Sequence, residues 1–177
     1  MKAVRPRYSR IVREASELLA RANVSSPPVP VEKIAALVGA KITVSNFENE
    51  ISGLLLRRNH SIVIGVASEQ SEARQRFTIA HEIGHLLLHE GEELHVDTNF
   101  RVNLRSSASS KADDVNEIEA NAFAAALLMP EEFLKKDVAR LRFDVEDSEQ
   151  IDELATKYAV SGQAMTFRLM NLFGARK

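Results

Sequence analysis

Two histidines four residues apart, with a glutamate directly after the first, lie inside an otherwise apolar run, RFTIAHEIGHLLLH, at residues 76–89. Polar side chains are costly to bury without partners, so something must compensate these three. On a helix of 3.6 residues per turn, His81 and His85 project from one face, and Glu82 stands about 100° round from His81. Both imidazoles can then reach one ion. Two neutral imidazoles with an open position favour Zn²⁺, and Glu82, beside the first of them, is placed to take a proton from the water that the ion activates.

A third ligand is needed. The chain has no cysteine, so it must come from His, Asp or Glu. Residues 86–91 read LLLHEG and do not extend the motif to a third histidine at HExxHxxGxxH spacing. A carboxylate is the alternative, and NEIEANAFAAALLMP at residues 116–130 carries two, Glu117 and Glu119. The other positions of that segment are small or apolar, which suits a helix packed closely against another. Glu117 and Asn121 share a face of it, whereas Glu119 points away. Glu117 is therefore the expected ligand, and Asn121 the residue expected to hold a ligand imidazole by a hydrogen bond.

Peptide hydrolysis at such a centre also wants a donor for the developing oxyanion. The sequence leaves this open among His60, His89, His95 and Tyr158. His89 continues the i, i+4 series, but a full turn beyond the metal pair, and reads as a packing or hydrogen-bonding residue at the helix end rather than a ligand.

These side chains need elements to position them. Ile11, Ala15, Leu18, Leu19 and Ala22 have helical spacing behind Ser9 as a cap; VSSPPVP at 24–30 breaks the pattern, and Pro30 opens a second short helix ended by Gly39. KITVSNF, ISGLLLRR and SIVIGVA predict three strands, the last two joined at Asn59 and His60. From about Glu69 to Leu88 the pattern is helical and largely apolar. Residues 91–112 show little periodicity and read as a long, mobile connection, either a gate over the cleft or a plain surface loop. Helices are expected over 113–129 and after Pro130. Two more should follow, meeting at Val160–Gly162, with Gly84 explained by close packing against the 113–129 helix.

The two blocks, RQRFTIAHEIGHLLLH and EIEANAFAAALLMP after a proline-led helix pair, resemble the ImmA/IrrE family of zinc metallopeptidases, over roughly residues 10–175. The resemblance implies a minimal gluzincin-like fold with zinc held by His81, His85 and a downstream glutamate. Its E-x-x-A-N element falls on Glu117, Ala120 and Asn121, which makes Glu119 a variable neighbour. Members of the family are linked to cleavage of helix-turn-helix repressors in mobile elements and stress responses.

The expectation is therefore an α+β, zincin-like metallopeptidase with a small three-stranded sheet, spanning 1–143, followed by a helical, helix-turn-helix-like C-terminal subdomain at 144–177. Its activity would be zinc-dependent cleavage of a regulatory protein, a helix-turn-helix repressor by resemblance. Two other classes compete: a zinc-bearing adaptor that binds such a partner without cutting it, and a DNA-binding regulator. Against DNA, residues 144–177 hold six acidic residues and only Lys157, Arg168, Arg176 and Lys177 as bases, so phosphate would meet net negative charge. The whole chain of 177 residues has a net charge of −2 and 45% hydrophobic residues, which announces neither a nucleic-acid nor a membrane partner. No apolar run approaches the ~20 residues of a membrane span, and no apolar region follows the basic N-terminus as a secretory signal requires. A cytoplasmic protein is expected.

Overall fold

The computed structural model describes residues 5–47, 51–58, 61–90, 93–98, 112–140 and 147–174. Helices α1 (Tyr8–Arg21) and α2 (Val31–Leu37) precede strands β1 (Ala40–Ser45), β2 (Ile51–Arg58) and β3 (Ser61–Ala67). Helix α3 (Glu72–Leu88) follows, then strand β4 (Leu94–Thr98), helices α4 (Ala112–Leu128) and α5 (Glu131–Arg140), and the pair α6 (Ser148–Tyr158) and α7 (Gly162–Phe173). The architecture is α+β. Among the described residues no helix is long and apolar enough to cross a membrane.

The sheet has four strands in the order β1-β3-β2-β4, not three. β1 runs parallel to β3, while β2 is antiparallel to both β3 and β4. The additional strand comes from the segment read as a connection. Its apolar residues face away from the core: Leu94 and Val96 are 48% and 38% exposed, whereas Asp97 is buried. Because Leu55 pairs with Ile64 on one side and His95 on the other, His95 and Asp97 share the inner face with the core of the sheet. Polar residues inside and apolar residues outside invert the usual alternation, so the strand gave no hydrophobic signal.

Helix α3 lies between the inner face of the sheet and α4. Every residue from Arg76 to His85 is buried, as is Leu88, which is why the segment is apolar all round and not amphipathic. Its tightest neighbour is α4. A methyl group added at Gly84 would stand 3.1 Å from the Ala120 Cα and 3.2 Å from its carbonyl oxygen, so the expected close packing is present and needs glycine at this point. Helix α1 lies on α4 with Ile11, Ala15, Leu18 and Leu19 buried. It starts at Tyr8 with Arg7 as its N-cap residue and no side-chain cap, so Ser9 is not the cap.

Helices α6 and α7 meet at Ala159, whose φ of 52° turns the chain, and Asp147 and Ser161 cap their N-termini. Their apolar faces, including Ile151, Leu154, Met165 and Leu169, join the same hydrophobic cluster as α1 and α3. The turn at Asn59 and His60, the serines at 106–110 and the boundary between 143 and 144 lie outside the described residues.

Because backbone meets backbone at Gly84, a branched side chain there is expected to be badly tolerated. Gly84→Val should lower the unfolding free energy of the metal-free chain by about 1–3 kcal/mol, measured by urea denaturation with chelator present. An unchanged midpoint would show that the two helices are not held this closely.

Candidate metal centre

The α3–α4 contact brings the two sequence motifs together. One turn apart on α3, His81 and His85 place their Nε2 atoms 2.9 Å from each other. From α4, Glu117 sets Oε1 3.1 Å from His85 Nε2 and Oε2 3.4 Å from His81 Nε2. Asn121, one turn further along, stands with Oδ1 3.1 Å from His81 Nδ1, where that N–H donates to it and leaves Nε2 for a ligand role. Glu117 is partly exposed, at 38%, so the centre opens to solvent on its side.

A fourth side chain arrives from the sheet. Asp97 on β4 has Oδ2 3.0 Å from His81 Nε2, and His81, His85, Asp97 and Glu117 each offer a ligand atom within 4.8 Å of the others. Neither motif pointed to Asp97. Its only sequence signal is the alternation of LHVDT, which is legible once one knows that the inner face of the sheet is a polar site.

Whether these residues suit a cation can be judged from the polar atoms they leave uncompensated. Glu82 is wholly buried, and neither of its carboxylate oxygens has a hydrogen-bond partner. Glu82, Asp97 and Glu117 put three carboxylates around two imidazoles, with two ring nitrogens confronting each other. Burial raises the Glu82 carboxyl to about 8. Burial opposes the His81 imidazolium too, but hydrogen bonding to Asp97 and Glu117 and the nearby negative charge outweigh it and bring His81 up to about 10. His85, for which burial prevails, falls to about 4. Against their burial, the same hydrogen bonds hold Asp97 well below the usual carboxylate range and Glu117 at about 2. These shifts are those of carboxylates and imidazoles competing for positive charge. A divalent cation would supply it, and the oxygen and imidazole donors suit zinc.

Backbone geometry makes room for Glu82. Gly53 on β2 lies opposite Asp97 beside a register shift in the strand pair. A methyl group there would come within 2.9 Å of Glu82 Oε1 and collide with Thr78.

The remaining candidates separate clearly. His95, on β4, lies with its ring centroid 4.2 Å from that of His85 and its Nε2 3.2 Å from Asp97 Oδ1. It is therefore at the site on an ordered strand. Hydrogen bonding to Asp97, the largest influence, raises its pKa despite burial. Tyr158 is elsewhere: its hydroxyl donates to Asp137 Oδ2 at 2.8 Å in the core, which removes it as an oxyanion donor. His60 lies outside the described residues.

His89 and Glu119 have a different task. His85 Nδ1 and His89 Nδ1 are 3.2 Å apart, and His89 Nε2 donates to Glu119 Oε2 at 3.1 Å. Glu119 is buried and receives the Arg7 backbone N–H at 2.6 Å, Nε at 3.0 Å and Nη2 at 2.6 Å. A chain of contacts thus runs from the N-cap of α1 through Glu119 and His89 to the imidazole of His85. Arg7 and Arg10 also donate to the carbonyls of Leu88 and Leu87 at the end of α3, and Arg57 to the carbonyl of His85, which the His89 N–H shares.

The model of the IrrE N-terminal-like domain, Peptidase M78, matches residues 35–170. The radiation response metalloprotease IrrE of Deinococcus deserti is 33% identical over 103 residues, which are 58% of this chain and 29% of that protein. Its counterpart in Deinococcus radiodurans is 30% identical over 110 residues, 62% of this chain and 31% of that one. The chain thus spans less than a third of the length of these two relatives. An uncharacterized immunity region protein 2 of Bacillus phage phi105 is 29% identical over 126 residues, 70% of this chain and 71% of that protein. Among solved structures, a Mycobacterium tuberculosis transcriptional regulator superposes with a TM-score of 0.64 at 19% identity, covering 94% of this chain and 48% of that one. That likeness is one of fold.

The centre makes a direct prediction about metal. One Zn²⁺ per chain is expected to bind, and at a hundredfold excess over Kd to stabilise the fold by about 2.7 kcal/mol, visible as a rise in Tm that chelator reverses. His81→Ala should abolish the rise; a variant that keeps it would place the ion elsewhere.

Proposed function

The chain belongs to the Peptidase M78 family, and from that premise we propose that it is a zinc-dependent endopeptidase, with His81, His85 and Glu117 as ligands and Glu82 as general base. The observation that carries the reading is Glu82, a buried carboxylate with both oxygens unpartnered beside a set of ligands. A side chain left so costly to bury has no evident structural use, and such groups concentrate where chemistry is done.

Zn²⁺, when bound, polarises the scissile carbonyl and lowers the pKa of water toward ~7. Glu82 takes the proton from the attacking water and returns it to the leaving amine. Burial, which holds its carboxyl near 8 in the metal-free chain, keeps it close to the pH at which a group can both accept and release a proton; the charge of the ion draws it lower. Asn121 fixes the tautomer and orientation of His81, and the His89–Glu119–Arg7 chain does the same for His85. Of the four candidates for stabilising charge on the carbonyl oxygen, His95 is the one at the rim of the centre. Its Nε2, held by Asp97 Oδ1 in the metal-free chain, is an N–H donor of the kind such an oxygen needs.

As substrate we assign a regulatory protein, and within that class a helix-turn-helix repressor. The family resemblance and the likeness to a phage immunity-region protein support this. The reading includes no DNA contact by α6 and α7. Their apolar faces are taken up by the core, and Arg168 turns inward to donate to the Met129 carbonyl at 3.0 Å. A cytoplasmic location goes with a target of this kind. The adaptor reading draws on one specific observation, the presence of Asp97 among the ligands, which crowds the position that catalysis needs open.

The decisive assay is incubation with the product of the neighbouring regulator gene. Cleavage is expected from the zinc-loaded chain, and Glu82→Gln should slow it by about 10²–10⁴-fold with zinc content unchanged. Cleavage that survives the substitution would contradict the general-base role, and stable binding without cleavage by the unsubstituted chain would make it an adaptor.

A further inference from the structure

We infer that Asp97 is a fourth protein ligand, closing the metal centre of the free chain at the position a water would otherwise take. The inference rests on the metal reading above and deepens it into a statement about regulation.

Distances carry the argument. Two donors each about 2.05 Å from a tetrahedral ion stand about 3.3 Å apart. The separations here are 2.9 Å for His81–His85, 3.0 Å for His81–Asp97, 3.1 Å for His85–Glu117 and 3.4 Å for His81–Glu117. Asp97 therefore stands as near to His81 as the residues of the two motifs stand to each other, and its donor atom lies within 4.8 Å of those of His85 and Glu117.

Asp97 is also buried, and its Oδ2 stands 3.0 Å from His81 Nε2. His81 Nδ1 faces Asn121 Oδ1, which leaves the Nε2 electron pair on the Asp97 side. His81, His85, Asp97 and Glu117 each offer a ligand atom within 4.8 Å of the others, a spacing at which four donors can share one ion. The other Asp97 oxygen is fixed by His95 Nε2 at 3.2 Å, which orients the carboxylate as such outer partners do. The sheet supports the placement: Asp97 pairs with Gly53 next to a register shift in β2, so no side chain from β2 intrudes.

Structural zinc sites are closed by four protein ligands, whereas catalytic ones keep a position open. With Asp97 in place the free chain holds its metal in a closed set and cannot take a substrate carbonyl. Turning Asp97 away opens that position and, in the same movement, releases His95 Nε2 to act as the oxyanion donor. Among the described residues β4 is an edge strand that pairs with β2 alone.

The cobalt-substituted chain tests this without relying on activity, with azide as the probe for an open position. In the unsubstituted protein the visible d–d spectrum is expected to stay unchanged on adding azide. Asp97→Ala should weaken cobalt binding by about 10-fold or more and give a spectrum that shifts with azide; Asp97→Asn, nearly isosteric, should move the same way. Azide uptake by the unsubstituted centre, or cobalt affinity unchanged in both variants, would overturn the proposal. His81→Ala run in parallel separates the two levels. If it loses cobalt while the Asp97 variants do not, only the fourth ligand is refuted; if it keeps cobalt, the metal reading falls as well.

Discussion

The contact on which the rest depends is the approach of α3 to α4 at Gly84 and Ala120. Glu117 reaches the two histidines because these helices touch at backbone distance. A larger residue at position 84 would press on the backbone of α4 at Ala120, one turn from Glu117. Small residues on α4, including Ala120 and Ala124, are buried at the contact, so a composition that looks like helix propensity is better explained by distance. His81, His85 and the glycine between them lie on one short stretch of one helix. Close packing and the spacing of the proposed ligands are therefore set by the same few residues.

That geometry is held against a substantial cost. Burying a charge without a partner is penalised by several kcal/mol, and Glu82, Asp97 and Glu119 are all buried carboxylates. The chain treats them differently. Glu119 is matched in full by Arg7 and His89 and serves to fix the end of α3, whereas Glu82 is matched by nothing within hydrogen-bond reach. The matched acid is an anchor; the unmatched acid is the one to which the proposed mechanism gives the proton transfer. Positive charge from a bound ion would lower the cost of the second kind and so couple metal binding to the stability of the fold.

What could be read from the sequence follows from the range of the physics involved. Helical spacing is local, so HExxH placed His81, His85 and Glu82 correctly on one helix, and the four-residue step from Glu117 to Asn121 put both on the face that meets α3. The family resemblance rested on these same local signals, and the match of the domain model agrees with it. The misses depended on partners far away in the chain. Arg7 lies 112 residues before Glu119, so no spacing rule could show that Glu119, read as a variable neighbour, anchors the first helix. β4 was read as a connection because Leu94 and Val96 face outward while His95 and Asp97 face the site. The function of the inner face had reversed the pattern by which strands are recognised. Ser9 failed as a cap for a related reason: Arg7, held by Glu119, sets where α1 begins.

The central claim is that α3 and α4 together hold one metal ion with residues from both motifs. Anomalous diffraction at the zinc edge, on crystals of the zinc-loaded chain, addresses it most directly. The account predicts one strong peak about 2.0–2.2 Å from His81 Nε2, His85 Nε2 and a Glu117 carboxylate oxygen. A peak bound by the histidines with Glu117 turned away, or no peak between the two helices, would contradict it.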